Sequence, residues 1–146
     1  MAEETPPRAR VPSLRTIAMP ADANPGGDIF GGWIMSQMDL AGAIHASYRV
    51  VGRIVTVAVE SMKFHLPVYV GDQVSCFCDT RKIGTTSISV HIETWVRRRQ
   101  QHQEYLKVTE ATYTYVSIGE NRKPVPVQLR ESGEKRDEEL NTGEQG

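Results

Sequence analysis

Between Gly32 and Gly52 the apolar positions Trp33, Ile34, Met35, Met38, Leu40, Ala41, Ala43 and Ile44 are broken mainly by Ser36, Gln37 and Asp39. Recurrence at intervals of three and four residues is helical. The apolar positions cover more than one face, which predicts a helix enclosed by other structure. The rest of the chain has the shorter period of strands. SLRTIAM (13–19) predicts a short strand stopped by Pro20, and RIVTVAVESMKFHLPV (53–68) opens as a β-branched run, predicting a strand covered on both faces. VGDQV (70–74) reads as a turn and SCFCDTRKI (75–83) as the next strand. After Gly84, Ile88, Val90, Ile92 and Val96 alternate onto one face of a further strand. In the last strand, 105–118, Ala111, Tyr113 and Tyr115 stand opposite the threonines, and GENRKP turns outward.

Residues 21–32 hold four glycines, Pro25 and Asn24, so they form a loop leading into the helix. A sheet of about five strands has a face to cover, and one helix is available to cover it. The reading is an α+β fold with the sheet wrapped around the helix. Open sheet edges and a single helix predict association of chains.

Composition narrows this picture. The 146 residues suit one domain, expected over 13–130. Residues 1–12 are proline-rich and charged, and 131–146 lack apolar periodicity, so both ends are expected to be disordered. The tail carries six acids and two bases, net −4; the whole chain is −1, leaving +3 on the other 130 residues. That is too little for nucleic-acid binding by charge alone, yet compatible with a small phosphorylated ligand. No apolar run approaches the roughly 20 residues of a membrane span, and the N-terminus lacks a secretory layout, so the expected location is the cytoplasm. Cys76 and Cys78 share a strand face without a second pair to complete a zinc site, and read as small buried side chains.

Asp39 is the anomaly. An ionised carboxylate among apolar residues is normally paired, protonated or functional. Bonding to Ser36, to backbone or to solvent would account for it structurally. The preceding NPGGDIFGG adds a second feature: helix N-termini present unpaired N–H groups, and glycine lets a ligand carbonyl come close. Gly31 or Gly32 thus becomes a donor to a thioester or ester oxygen as it gains charge, unless the pair only packs a loop against a strand. Gly31 and Asp39 are eight residues apart, about 12 Å along a helix. A base and an oxyanion donor must each lie within about 3 Å of the reacting atoms. One helix supplies both to one carbonyl with difficulty; two antiparallel copies do so readily.

LRTIAMPADANPGGDIFGGWIMSQMDLAGAI, RIVTVAVESMKFHLPVYVGDQV and GTTSISVHIETWV closely resemble the YciA-type acyl-CoA thioesterases of the hotdog fold, from about Leu14 to Val116. The resemblance implies an antiparallel sheet wrapped around one long central helix, dimers joined into hexamers, and hydrolysis of acyl-CoA to CoA and a carboxylic acid. It places the catalytic acid on Asp39, the helix-start glycine on Gly31 and Gly32, and the loop amide on Asn24. The chain departs from the pattern at Pro25-Gly26, which bears on how Asn24 points, and at His65-Leu66, where many relatives carry a lysine.

On that reading Asp39 of a partner chain is general base or nucleophile, and Asn24 orients the carbonyl or the water. CoA phosphates need basic side chains and free amides; the candidates are Arg81, Lys82 and the turn Gly84, Thr85, Thr86 and Ser87. The run Arg97–Arg99 reads instead as a solvated strand end. No metal or cofactor is expected, CoA being part of the substrate. His45 falls on nearly the opposite side of the helix from Asp39, and His65, His91 and His102 have no metal-like spacing. Phe30, Trp33, Met35 and Met38 read first as core, although they are suited to line an acyl tunnel. Two alternatives stand beside the enzyme. A non-catalytic acyl-CoA-binding module or sensor gains nothing from the carboxylate, and the short stretch before the first strand leaves no room for a DNA-binding segment. A purely structural oligomer former leaves the glycine loop unexplained.

Overall fold

A computed structural model of the chain describes residues 5–98 and 105–131, so Arg99, His102 and most of the acidic tail lie outside the described residues. The elements run β1 (Leu14–Ile17), a single 3-10 turn (Pro20–Asp22), α1 (Gly31–Ser47), β2 (Arg53–Phe64), β3 (Gln73–Ile83), β4 (Ser87–Arg97) and β5 (Tyr105–Ile118). The five strands form one sheet in the order β1-β3-β4-β5-β2, every pair antiparallel. This is the α+β arrangement expected, with β3 beginning two residues earlier than the sequence suggests.

The helix lies on one face of the sheet because Ile34, Met38, Ala41, Gly42, His45 and Ala46 recur every three or four residues and are all buried. Against them sit Val90 and Ile92 of β4 and Ala111, Tyr113 and Tyr115 of β5, the alternating positions of the two central strands. The helix approaches closely at Gly42. A Cβ built there falls 2.2 Å from the Tyr115 hydroxyl oxygen and 2.8 Å from Cδ1 of Ile92, so no larger residue fits. The two tyrosine hydroxyls then reach the helix backbone, Tyr113 donating to the Met35 carbonyl and Tyr115 to the Asp39 carbonyl, each at 2.9 Å.

Two expectations need correction. The helix is not enclosed within the protomer: Met35, Leu40 and Ile44 on its far side are 38%, 51% and 39% exposed. Nor is β2 covered on both faces. It ends the sheet order, and Val57, Val59 and Phe64 are exposed. A β-branched run reads the same whether its second face is buried by its own chain or left open. Two register irregularities, at Thr56/Ala58 and Glu60/Lys63, bend this edge strand.

Both flanks of the domain carry contacts. Before β1, Arg10 forms an ion pair with Asp79 at 2.9 Å and donates to the Cys78 carbonyl. After β5, residues 125–130 return across the sheet end. Val127 N–H bonds the Thr85 carbonyl, and Arg130 Nε caps the helix C-terminus through the Ser47 and Val50 carbonyls at 3.1 and 3.3 Å. No helix among the described residues is long and apolar enough to cross a membrane.

Candidate active site

The glycine loop folds into a small hairpin that delivers the chain to the helix. Ala23 bridges Ile29, the Asn24 N–H bonds the Asp28 carbonyl at 2.7 Å, and the Gly27 N–H returns to the Asn24 carbonyl at 3.0 Å. Gly27 holds φ at +102°, a conformation that disfavours any side chain. Pro25-Gly26 fixes the asparagine itself: the Gly26 N–H donates to Asn24 Oδ1 at 2.8 Å. The carboxamide oxygen is therefore spoken for within the turn, and the NH₂ group is left as the donor. On either side the loop is pinned, by Phe30 N–H to the Asp22 carbonyl and by Ile29 N–H to the Val68 carbonyl.

At the helix start the Trp33 and Ile34 N–H groups bond back to the Phe30 carbonyl, whereas Gly31 and Gly32 N–H have no backbone acceptor among the described residues. No side chain caps this end. Beside it opens a cleft of about 390 Å³. One wall comes from the loop and the start of α1, with Asn24, Asp28, Ile29, Gly31 and Ile34, and the other from the end of β2 and the segment after it, with Phe64, His65, Leu66, Pro67 and Val68. The Phe64 ring rests beside the space a Gly31 side chain would take, 3.4 Å from where its Cβ would stand. Two predicted residues, Asn24 and Gly31, are thus brought to one cavity with an open helix tip. Gly32 is exposed just outside it.

Asp39 does not line this cleft. It is half-buried in mid-helix, and its Oδ1 accepts a 2.6 Å hydrogen bond from Thr56 Oγ1 of β2. Its partner is therefore neither Ser36 nor backbone. Burial, and after it the negative charge of Asp39, pushes the Tyr113 and Tyr115 phenols above the ordinary tyrosine range, so both stay protonated donors.

Arg81, Lys82 and Gly84–Ser87 lie at the other end of the sheet. Phe64 of the cleft pairs with Thr109 and Ser87 with Val116, seven residues along β5, or roughly 23 Å at about 3.3 Å per residue. Arg81 and Lys82 are exposed, while the Thr85 and Thr86 carbonyls are engaged by Val127 and Ser117 N–H. Within one protomer the predicted phosphate contacts and the cleft do not meet.

Of the histidines, His45 is buried, with Nε2 2.9 Å from Thr80 Oγ1 and Nδ1 3.2 Å from Arg49 Nη1. His65 is exposed on the cleft wall. Strand pairing brings His91 together with Glu93 and Glu110, a grouping that sequence spacing conceals and that has the compactness of a metal site. The Lys107 ammonium bonds both carboxylates there, supplying the positive charge itself, and holds the Glu110 carboxyl below its ordinary range. Sequence reasoning also missed Arg98. Far from being a solvated end, its side chain is 14% exposed and paired with the buried Asp72.

A five-stranded antiparallel sheet curled on a central helix, with an amide-lined cleft at the helix tip and a carboxylate in its middle, defines a hotdog-type thioester-processing domain. The chain belongs to the thioesterase superfamily, whose family model matches residues 26–101. Among individual proteins it is similar to the acyl-CoA thioester hydrolase YciA of Salmonella typhimurium, 52% identical over 120 residues that cover 80% of this chain and 90% of that one. It is also similar in structure to HI0827, described as a hexameric broad specificity acyl-coenzyme A thioesterase and solved as an aspartate-to-alanine mutant enzyme. The TM-score is 0.79 at 43% identity, covering 92% of this chain and 99% of the other. The hexameric hotdog fold thioesterase Cj0915 of Campylobacter jejuni matches with a TM-score of 0.78 at 39% identity, over 89% and 98% of the two chains.

Proposed function

We propose that the protein hydrolyses acyl-CoA thioesters to free CoA and a carboxylic acid, at composite sites built by two antiparallel protomers. The observation that carries this reading is the cleft that sets the open Gly31 amide beside the Asn24 carboxamide at a helix tip. Such donors stabilise the oxyanion that forms as the thioester carbonyl is attacked, and one of them is typically worth about 3–4 kcal/mol of barrier. Asn24 NH₂ orients the carbonyl or the attacking water.

The acid comes from the partner on this proposal, because about 12 Å of helix separates Gly31 from Asp39 in one chain. Pairing β2 of two protomers edge to edge about a two-fold axis would run the helices antiparallel and bring Asp39 of one toward Gly31 of the other. It would also cover Val57, Val59, Met35 and Leu40, which are exposed in the protomer. Three such dimers would make the hexamer expected. Asp39 then either takes a proton from water as its oxygen attacks the carbonyl carbon, or attacks directly to give an anhydride that water opens. In both routes the C–S bond breaks, CoA leaves as the thiol and the acyl group departs as a carboxylate. No cofactor enters. Phosphates of CoA are met by Arg81, Lys82 and the Gly84–Ser87 turn of the partner.

A thiol-release assay over a panel of acyl-CoA chain lengths tests this reading, run on wild type and Asp39→Ala together. Turnover by the wild type with a fall in kcat of about 10²-fold or more in the variant is expected. Acyl-CoA binding without thiol release by the wild type would identify a sensor instead.

A further inference from the structure

Of the cleft wall formed by Phe64–Val68, Phe64 ends β2 and His65–Val68 belong to the β2–β3 connection, which has no helix or strand of its own. Besides its backbone bonds, it is reached by one side chain from β4's end. Arg98, just past the end of β4, directs its guanidinium to three points of this connection. Nε faces Asp72 Oδ2 at 3.4 Å, Nη2 donates to the Pro67 carbonyl, and the guanidinium carbon stacks 4.7 Å from the centre of the Tyr69 ring. Asp72 is 4% exposed, and the same Oδ2 accepts the Tyr69 N–H at 2.9 Å. The Asp72 carbonyl accepts the Ala18 N–H, and the Gly71 N–H bonds the Ala18 carbonyl, so the acid is tied to the end of β1. Earlier in the connection, Val68 and Tyr69 pair with Ile29 and Asp28 on the opposite wall. Arg98 itself does not line the cleft.

We infer that Arg98, through its ion pair with Asp72 and its bond to Pro67, is a positioning residue that sets the distance between the two walls of the cleft and so governs how tightly the acyl-CoA is held. This rests on the thioesterase reading of the site. A planar guanidinium suits the task because it binds a carboxylate and a carbonyl and stacks on an aromatic ring at once, which a point-charge ammonium does not. Loss of the brace frees the part of the wall that follows Phe64, around Leu66–Val68, while Phe64 stays paired with Thr109 in the sheet and the helix tip and Asp39 stay in place on α1. The consequence falls on binding more than on chemistry.

The test is steady-state kinetics on the full chain for Arg98→Ala, Arg98→Lys, Asp72→Asn and the Arg98→Ala/Asp72→Asn double variant, with melting curves and oligomeric state measured alongside. Expected is a rise in KM of about tenfold or more for Arg98→Ala and Asp72→Asn with kcat changed by less than about threefold. The double variant should be no worse than the worse single one, since the two residues act as a pair. Arg98→Lys, which keeps the charge but not the fork, should raise KM by about threefold, and decides the matter if Arg98→Ala does not fold. Unchanged KM in a folded Arg98→Ala, a loss confined to kcat, additive effects in the double variant, or an Arg98→Lys indistinguishable from wild type would each overturn the inference. Absence of thiol release from the wild type would instead overturn the thioesterase reading, separately from the clamp.

Discussion

Thr56 on the open edge strand donates its hydroxyl proton to Asp39 in the middle of the helix, with 2.6 Å between the oxygens. This bond orients the carboxylate from the side of β2, while Tyr115 fixes the Asp39 backbone from the side of β5. Removing the hydroxyl leaves the acid free to rotate. Thr56→Val, close in shape, should lower kcat by about 3- to 30-fold with little change in KM, and Thr56→Ser should restore most of it. An unaltered kcat in Thr56→Val would show that the carboxylate needs no orienting partner.

Asn24 offers a separable test, because its two amide atoms do different work. Oδ1 accepts the Gly26 N–H and so supports the turn, whereas the NH₂ group remains for a ligand. Asn24→Asp keeps an acceptor for Gly26 and removes the donor. A fall in kcat of about 10-fold or more is expected with a melting temperature close to wild type, the range of a lost oxyanion or positioning donor. Asn24→Ala should match that loss in kcat and also destabilise the loop. If Asn24→Asp kept full turnover, the carboxamide would be structural only.

Much of the fold is legible in the chain, for a local reason. Ile88, Val90 and Ile92 are buried on β4, and Ala111, Tyr113 and Tyr115 on β5, because alternation reports which face of a strand meets the core. Where the structure departs from the sequence reading, the deciding partner is distant. The run at Val55, Val57 and Val59 states that a strand is apolar, not whose atoms cover it. The Asp39–Thr56 bond spans 17 residues of chain, and Arg98–Asp72 spans 26. His91, Glu93 and Glu110 meet only through the β4–β5 register. Asn24 and Gly31, the one carried by the family resemblance and the other by the helix start, line one cleft because only a short loop separates them.

The helix glycines separate backbone from side-chain roles. At Gly42 a methyl group meets the Tyr115 hydroxyl at 2.2 Å and its Cζ at 2.9 Å, with Ile92 at 2.8 Å. Gly42→Ala must push the helix off the sheet or break the Tyr115–Asp39 bond. It should destabilise by about 1–3 kcal/mol, the usual cost of overpacking, with a loss of kcat because Asp39 moves. At Gly32 a methyl group meets nothing within 4 Å. Gly32→Ala should keep its N–H and its activity, with stability raised by up to about 1 kcal/mol through helix propensity. Thermal melts and kinetics on the two variants check both signs.

The two cysteines predict a pH dependence. Burial pushes the Cys76 thiol up to about 11 and Cys78 to about 12 from an ordinary 9.0, with hydrogen bonding to Thr94 and Ser13 partly opposing it. An acid whose folded pKa is raised holds its proton in the native state where the unfolded chain has lost it. Its contribution is therefore complete below pH 9 and is lost as pH rises through 9 toward 11–12. Melting temperature should be insensitive to these thiols below about pH 9 and fall above it, and a Cys76→Ala/Cys78→Ala variant should show a shallower fall. At about pH 8 a thiol reagent should label neither cysteine in the native protein and both after unfolding.

Arg81 and Lys82 test the composite site itself. Through Ser89, Lys82 is level with Thr114, five residues along β5 from the Thr109 that pairs with Phe64 of the cleft. That is roughly 16 Å at about 3.3 Å per residue, and β3 and β2 are separated by β4 and β5. On the composite-site proposal they serve a partner's cleft. Arg81→Gln/Lys82→Gln should raise the KM for acyl-CoA by about 5- to 20-fold with kcat preserved, and should flatten the dependence of KM on salt, because exposed charge pairs are screened. Co-assembly with Asp39→Ala subunits sharpens the test. Suppose the hairpin and the acid of one chain serve the same neighbouring cleft. Every site in the mixed dimer then carries one lesion, so no site with the wild-type KM and full turnover appears. If the hairpin and acid act on different clefts, both lesions fall on one site of the mixed dimer and the other stays intact, so half of the wild-type activity returns with the wild-type KM.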